Sequence, residues 1–223
     1  MAWILHIETS TKNCSVALSE NDKVSDLLEY AGQGYSHAEK LHVFIDKILK
    51  KNGLKLQNLS AISVSKGPGS YTGLRIGVST AKGLAYALKI PLISVSTLQH
   101  MAQQIRKNGF IIPMIDARRM EVYSAVFDQD YQMIREVQAE IINKNSFTEY
   151  LEQKQVFFLG DGVFKVKEII THPNAIFTDF IYPSAKEMTA ISYQKFVNKD
   201  FEDIAYFEPF YLKDFIATQK LKK

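Results

Sequence analysis

Ala61-Ile62-Ser63-Val64-Ser65-Lys66-Gly67-Pro68-Gly69-Ser70-Tyr71-Thr72-Gly73-Leu74-Arg75 passes from alternating apolar residues through a glycine-proline-glycine turn into small residues that continue to Leu88; a second apolar run follows from Pro91 to Val95. The pattern is strand, tight turn, helix, strand. Gly67 and Gly69 let the backbone turn sharply, and Ser70 or Thr72 can cap the first free amides of the helix. Gly67, Gly69, Ser70, Thr72 and Arg75 are thus candidates for either of two roles. A glycine-rich turn at a helix N-terminus can hold an anion on its amides, or it can simply join a strand to a helix. The spacing matches neither the phosphate-loop nor the dinucleotide fingerprint. A nucleophile elbow needs glycines two residues either side of its serine, where Pro68 and Thr72 stand around Ser70.

The helix carries Gly73, Gly77, Ala81 and Ala85 at spacings of four, which makes one side nearly flat. An interior glycine costs roughly 1 kcal/mol relative to alanine, so Gly73, Gly77 and Gly83 imply close packing that offsets the loss. Either the protein's own sheet or helix packs there, or a partner's helix does.

The 223 residues are 46% hydrophobic and 12% aromatic, enough for one large domain or two small ones. A formal charge of +3 is too weak to imply nucleic-acid binding unaided, although Lys213, Lys220, Lys222 and Lys223 gather at the C-terminal end. Cys14 is the only cysteine, so no internal disulfide forms, a reducing cytosol fits, and a buried small hydrophobe is the reading for its side chain. No apolar run is long enough to span a bilayer, and the chain enters the strand-like Trp3–Ile7 without a basic leader. The expectation is a cytoplasmic, unprocessed protein with no membrane contact.

In chain order, Ile4–Ile7, Ser15–Ser19 and Val24–Tyr30 read as three strands. Ser36-His37-Ala38-Glu39 reads as a capping box opening a helix that Asn52-Gly53 stops. The organising strand, helix and second strand follow, then a helix from about Thr97 to Arg106. The second half repeats the order. Phe110–Ile115, Glu121–Phe127 and Tyr131–Ala139 read as strands, Ser146 opens a short helix, and Val156–Leu159 is a strand. Gly160-Asp161-Gly162 leads into a helix, Ala175–Thr178 is a strand, and the box Ser184-Ala185-Lys186-Glu187 starts a helix to about Asn198. The fold class is α/β, with two similar βββαβαβα lobes at residues 1–108 and 109–223, the last segment packing back on the first lobe. Duplicated lobes of this order are the plan of the actin-like ATPase and sugar-kinase folds.

An active nucleotide-binding protein of that plan needs an acidic residue and a glycine-threonine loop in the first hairpin, and a similar loop opening the second lobe. Glu8-Thr9-Ser10-Thr11 is a weak version of the first, and Asp116-Ala117-Arg118-Arg119-Met120 lacks both glycine and threonine. Arg118 and Arg119 either neutralise Asp116 or bind an anion. Gly160-Asp161-Gly162 is either an adenosine-loop remnant or a helix-initiating turn. His37 and His42 are five apart, off a shared helix face, while His6, His100 and His172 are isolated. No metal and no cofactor are expected.

Taken together, Ile7-Glu8-Thr9-Ser10, the segment Lys66–Gly77, Ala81-Lys82-Gly83-Leu84-Ala85, Val95-Ser96-Thr97-Leu98, Ile115-Asp116-Ala117-Arg118 with Glu121-Val122-Tyr123, and Glu208-Pro209-Phe210-Tyr211-Leu212 resemble the bacterial TsaB (YeaZ) family. The resemblance implies a non-catalytic paralogue of TsaD, the subunit that places threonylcarbamoyl on N6 of adenosine 37 in tRNAs reading codons that begin with A. TsaD holds its metal with an i, i+4 histidine pair, and Thr97 and Met101 stand at those positions here, with His100 one residue out of place. The resemblance further implies TsaD binding through helices of the first lobe, a homodimer when TsaD is missing, and TsaE and tRNA as further members of the assembly. His37, Leu41, Gly73, Gly77 and Ala81 are the expected helix-packing residues, and no residue is expected to be catalytic. The competing expectations are a stand-alone actin-like ATPase or kinase using Glu8 and the Gly67 loop, a glycoprotease-like peptidase, and an RNA-binding subunit using the basic C-terminal end.

Overall fold

A computed structural model describes residues 1–32 and 36–213. Lys220, Lys222 and Lys223, named above for RNA binding, lie outside the described residues. Two five-stranded sheets form, and they share one topology. In the first, β1 (Trp3–Glu8) pairs antiparallel with β2 (Cys14–Glu20), which pairs with the edge strand β3 (Lys23–Tyr30). On its other side β1 runs parallel to β4 (Ala61–Gly67), and β4 to β5 (Leu92–Ser96). The second sheet repeats this with β6 (Phe110–Asp116), β7 (Glu121–Phe127), β8 (Met133–Ile141), β9 (Val156–Leu159) and β10 (Ala175–Phe177), in the order β10-β9-β6-β7-β8. This duplicated arrangement is the actin-like ATPase type of fold.

Parallel strands must be covered on both faces, and the continuous burial of β1, β4 and β5 follows from that. Helices α1 (His37–Lys51) and α2 (Tyr71–Leu88) cover one face of the first sheet, setting Leu41, Ile45, Ile48, Val78, Ala81 and Ala85 against Leu5, Ile7, Ile62 and Val64. The opposite face carries Ile4, Ala17, Ala61, Ile93 and Val95, and it is closed by Ala185, Met188 and Ile191 from the far end of the chain. Ile4 and Ile93 are fully buried there, a stabilisation of about 1.5–3 kcal/mol each. Those covering residues belong to a 3₁₀ turn at Ala185–Met188 and to the helix that follows it, Thr189–Val197. Conversely, α3 (Thr97–Ala102), from the first half of the chain, packs Leu98, Met101 and Ala102 on Ile111, Ile115 and Phe127 of the second sheet. Each half therefore closes the other's sheet with its last helix.

The remaining helices, α4 (Thr148–Leu151) and α5 (Val163–Val166), are single turns on the second sheet, and Thr189–Val197 is α6. The final segment returns to the first sheet. Phe207 joins its core, Lys82 Nζ donates to the Phe207 carbonyl at 2.8 Å, and the Phe210 amide donates to the Lys66 carbonyl at 2.7 Å.

Three local expectations are corrected. The Ser36 hydroxyl makes no capping hydrogen bond to α1, so that box is not formed; the Ser36 carbonyl instead accepts from the Glu39 and Lys40 amides. The Ser184 hydroxyl accepts from the Lys186 amide rather than from Glu187, which fits the tighter 3₁₀ geometry there. Helix α3 ends at Ala102, four residues short of Arg106, where tight turns take over through Gln103 and Gln104.

Candidate functional site

The turn from Gly67 to Ser70 sits where the loop after β1 meets the start of α2. Gly67 has φ of 111°, and a side chain there would come within 2.7 Å of the Phe210 carbonyl oxygen. The Ser70 amide donates to the Ser10 carbonyl at 2.6 Å, and the Ser70 hydroxyl accepts from the Gly73 amide at 3.3 Å. A Cβ on Gly69 would lie 2.5 Å from that same Ser10 oxygen. The Ser10 carbonyl thus occupies the Ser70 amide, and the backbone at Gly67 and Gly69 is packed too closely for a side chain. Thr72 and Arg75 are exposed. Arg75 lies over the Tyr71 ring, 4.1 Å from its centroid, and its Nε donates to the Tyr211 hydroxyl at 3.4 Å.

The flat side of α2 also faces inward. Cβ atoms on Gly73 and Gly77 would stand 2.1 Å from the Thr9 carbonyl oxygen and 2.2 Å from Thr9 Oγ1, while Thr9 Oγ1 donates to the Gly73 carbonyl at 2.8 Å. Ala81 and Leu41 are in the core under the two helices, and His37 is buried with Nε2 2.8 Å from the Thr11 carbonyl oxygen. The five residues expected to pack on a partner helix are therefore internal, because the loop after β1 fills the groove they make. Gly77→Leu accordingly tests the fold rather than an interface: overpacking against Thr9 is expected to lower stability by about 2–3 kcal/mol, read as a fall in the urea midpoint. An unchanged midpoint would contradict this.

Outward, α2 presents a second stripe, Ser79, Gly83 and Ala87, all exposed. Among the described residues, and apart from the helix's own backbone, nothing lies within 4 Å of where a Gly83 side chain would begin. A helix-interior glycine costs roughly 1 kcal/mol, and no close approach at its Cβ position among the described residues requires one here. Val43 on α1 and Tyr86 on α2 are exposed apolar side chains on the same pair of helices. The signal for this stripe was present in the spacing of 79, 83 and 87, but the inner stripe, richer in glycine, masked it.

Under the loop lies a buried polar pair that the sequence did not reveal. Glu8 and His100 are both fully buried, with Oε2 and Nε2 2.8 Å apart, and the Glu8 carboxylate also accepts from the Ser10 amide. Burial pushes the Glu8 carboxyl up, but the His100 hydrogen bond and charge, with Ser10, outweigh it and hold it below the usual range. On the same strand His6 is buried against Ser19, Nε2 to Oγ 2.8 Å, and burial followed by His100 pushes its imidazole down to about 3. Burial raises the Cys14 thiol to about 11, in keeping with a small core residue.

In the second half, Asp116 accepts from Lys165 Nζ at 2.6 Å and from the Arg118 amide at 2.6 Å. Lys165, and not either arginine, is the cation that meets it. Gly160 has φ of 103° and Asp161 Oδ1 accepts from the Asp116 amide at 2.9 Å, while the Gly160 and Gly162 amides donate to the Phe180 and Met114 carbonyls. Burial raises the Asp161 carboxyl. This loop is a turn anchoring β6 to α5. Among the described residues no three His, Cys, Asp or Glu side chains converge to hold an ion, and no helix is long and apolar enough to cross a membrane.

The family model for TsaD, tRNA N6-adenosine threonylcarbamoyltransferase, matches residues 33–221. The chain is 32% identical over 228 residues to the tRNA threonylcarbamoyladenosine biosynthesis protein TsaB of Escherichia coli strain K12, covering 98% of this chain and 97% of that one. It is 35% identical over 172 residues to TsaB of Bacillus subtilis strain 168, covering 75% and 74%. Among solved structures it is similar to YeaZ from Pseudomonas aeruginosa, with a TM-score of 0.82 and 25% identity over 95% of this chain and 100% of that one.

Proposed function

Because this chain belongs to the TsaB family of tRNA threonylcarbamoyladenosine biosynthesis proteins, we propose that it is the non-catalytic scaffold of a threonylcarbamoyl transferase, binding TsaD and holding that enzyme competent. The transfer acts on adenosine 37 of tRNAs that read codons beginning with A, in the cytoplasm, with TsaE and tRNA joining the assembly. The observation that carries this reading is the outer face of α2: exposed Ser79, Gly83 and Ala87 form a flat stripe on the lobe of residues 1–108, and among the described residues nothing stands within 4 Å of where a Gly83 side chain would begin. A partner backbone against Gly83 supplies the packing that offsets the glycine, and two copies of this chain meet through the same face when TsaD is missing. The residues that an ATPase or kinase reading would use support the scaffold reading instead, since Glu8 is committed to His100 and the Ser70 amide to Ser10.

Gly83→Leu separates this interface from the fold. The substitution points into open space and removes a helix glycine, so the thermal midpoint is expected to stay level or rise, by up to about 1 kcal/mol of stability. Association with TsaD, followed by calorimetry, is expected to weaken at least tenfold, and threonylcarbamoyl transfer by the reconstituted assembly to fall with it. Undiminished association would overturn the assignment of this face.

A further inference from the structure

The turn between β6 and β7 carries two adjacent arginines in left-handed backbone, Arg118 with φ of 69° and Arg119 with φ of 51°. Neither is glycine, so the conformation is strained at both positions. The nearby carboxylates are already engaged, Asp116 by Lys165 and Glu121 by Lys213. Among the described residues neither guanidinium has a hydrogen-bond or ion-pair partner, and both side chains are exposed. Two cations are thus held out from a strained turn with their natural counter-charges neutralised.

Lys213 joins this turn to a second feature. Its ammonium lies 6.0 Å from the Tyr123 ring centroid, and two residues earlier Tyr211 packs tilted against Tyr71 with centroids 5.1 Å apart and planes at 41°. Arg75 covers the Tyr71 ring, and Phe210 and Met120 expose large apolar surface beside the two features. Guanidinium groups that can fork onto phosphates, next to rings and a planar cation that can stack on bases, are the chemistry that recognises unpaired nucleotides.

We propose that the Arg118–Arg119 turn and the Tyr71–Tyr211 pair form one docking surface for a single-stranded loop of tRNA, the guanidinium groups meeting phosphates and the Tyr211 ring stacking on a splayed base. The inference rests on the tRNA-modification role given above and adds the surface through which this subunit itself holds the RNA.

Fluorescence anisotropy of labelled unmodified tRNA titrated with the full chain, alone and with TsaD, across a salt series tests it. The double variant Arg118→Asn, Arg119→Gly places residues tolerant of left-handed backbone in the turn, so its thermal midpoint is expected to equal or exceed that of the wild type. Its tRNA affinity is expected to fall roughly tenfold, and the slope of log affinity against log salt to shrink by roughly 1.5, the contribution of two phosphate contacts. Tyr211→Ala is expected to lose roughly tenfold in affinity with the slope kept, as stacking alone would. Wild-type affinity and slope in the double variant would overturn the proposal. So would absence of tRNA binding by the wild type in both settings, or binding of phosphatidylcholine–phosphatidylglycerol vesicles in place of tRNA. The same proteins titrated with TsaD keep the two readings apart: variants that bind TsaD normally but leave tRNA affinity unaltered sink this surface alone, whereas a wild type that ignores TsaD sinks the scaffold reading.

Discussion

Replacing Glu8 with alanine is expected to cost about 3–5 kcal/mol of stability, the largest effect of any single substitution considered for this chain. Glu8 and His100 are fully buried and 2.8 Å apart, though 92 positions separate them in sequence. The pair links β1 of the first sheet to α3, the helix that packs on the second. Removing the carboxylate leaves His100 Nε2 without its partner in a site that water does not reach, whereas removing both groups together leaves only the Ser10 amide to find a new acceptor. Glu8→Leu with His100→Leu should therefore recover much of what Glu8→Ala loses. Urea unfolding of the three variants reads the difference, and a Glu8→Ala midpoint within error of the wild type would show that the pair is not a keystone of the joint.

Acidification is expected to weaken the fold well before ordinary carboxylates titrate. His6 has its folded value pushed down to about 3 from an ordinary 6.5. Between those two values the unfolded chain binds a proton that the folded chain refuses, so the contribution of His6 is complete above pH 6.5 and is lost progressively as pH falls toward 3. The full loss is about 4–5 kcal/mol for a shift of this size. Burial also lowers His37, which adds to the decline in the same direction, and Glu8, held below its usual range, adds a further loss at still lower pH. Urea midpoints measured from pH 8 to pH 4 should fall from about pH 6.5 downward, and His6→Gln, which can still reach Ser19, should flatten part of that slope. Midpoints level across the range would contradict a neutral, buried His6.

Most of the element order was legible in sequence because it rests on local patterns. The alternation in β1 and β2, the glycine-proline-glycine turn and the four-residue spacing on α2 depend on neighbours a few residues away. What the sequence left open was which side of α2 faces home. Gly73 and Gly77 fit against Thr9, a contact across more than sixty residues that composition does not encode, and so the inner stripe read as a partner surface while Gly83 went unused. Ser36 reads as a capping residue by type, yet its hydroxyl caps nothing. Likewise His100 looked isolated in the chain, although in space it is paired.

The exchange of last helices has a consequence for how the protein is made. A ribosome finishes β5 at Ser96 but does not produce the helix that covers the opposite face of that sheet until Thr189–Val197 has emerged. At ordinary translation speeds the nascent chain holds Ile4, Ala17, Ala61, Ile93 and Val95 uncovered for roughly 5 to 20 s. During that interval the first sheet is an adhesive surface awaiting its own C-terminus, a natural client for a holding chaperone and the step at which slow synthesis would trap the chain in aggregates.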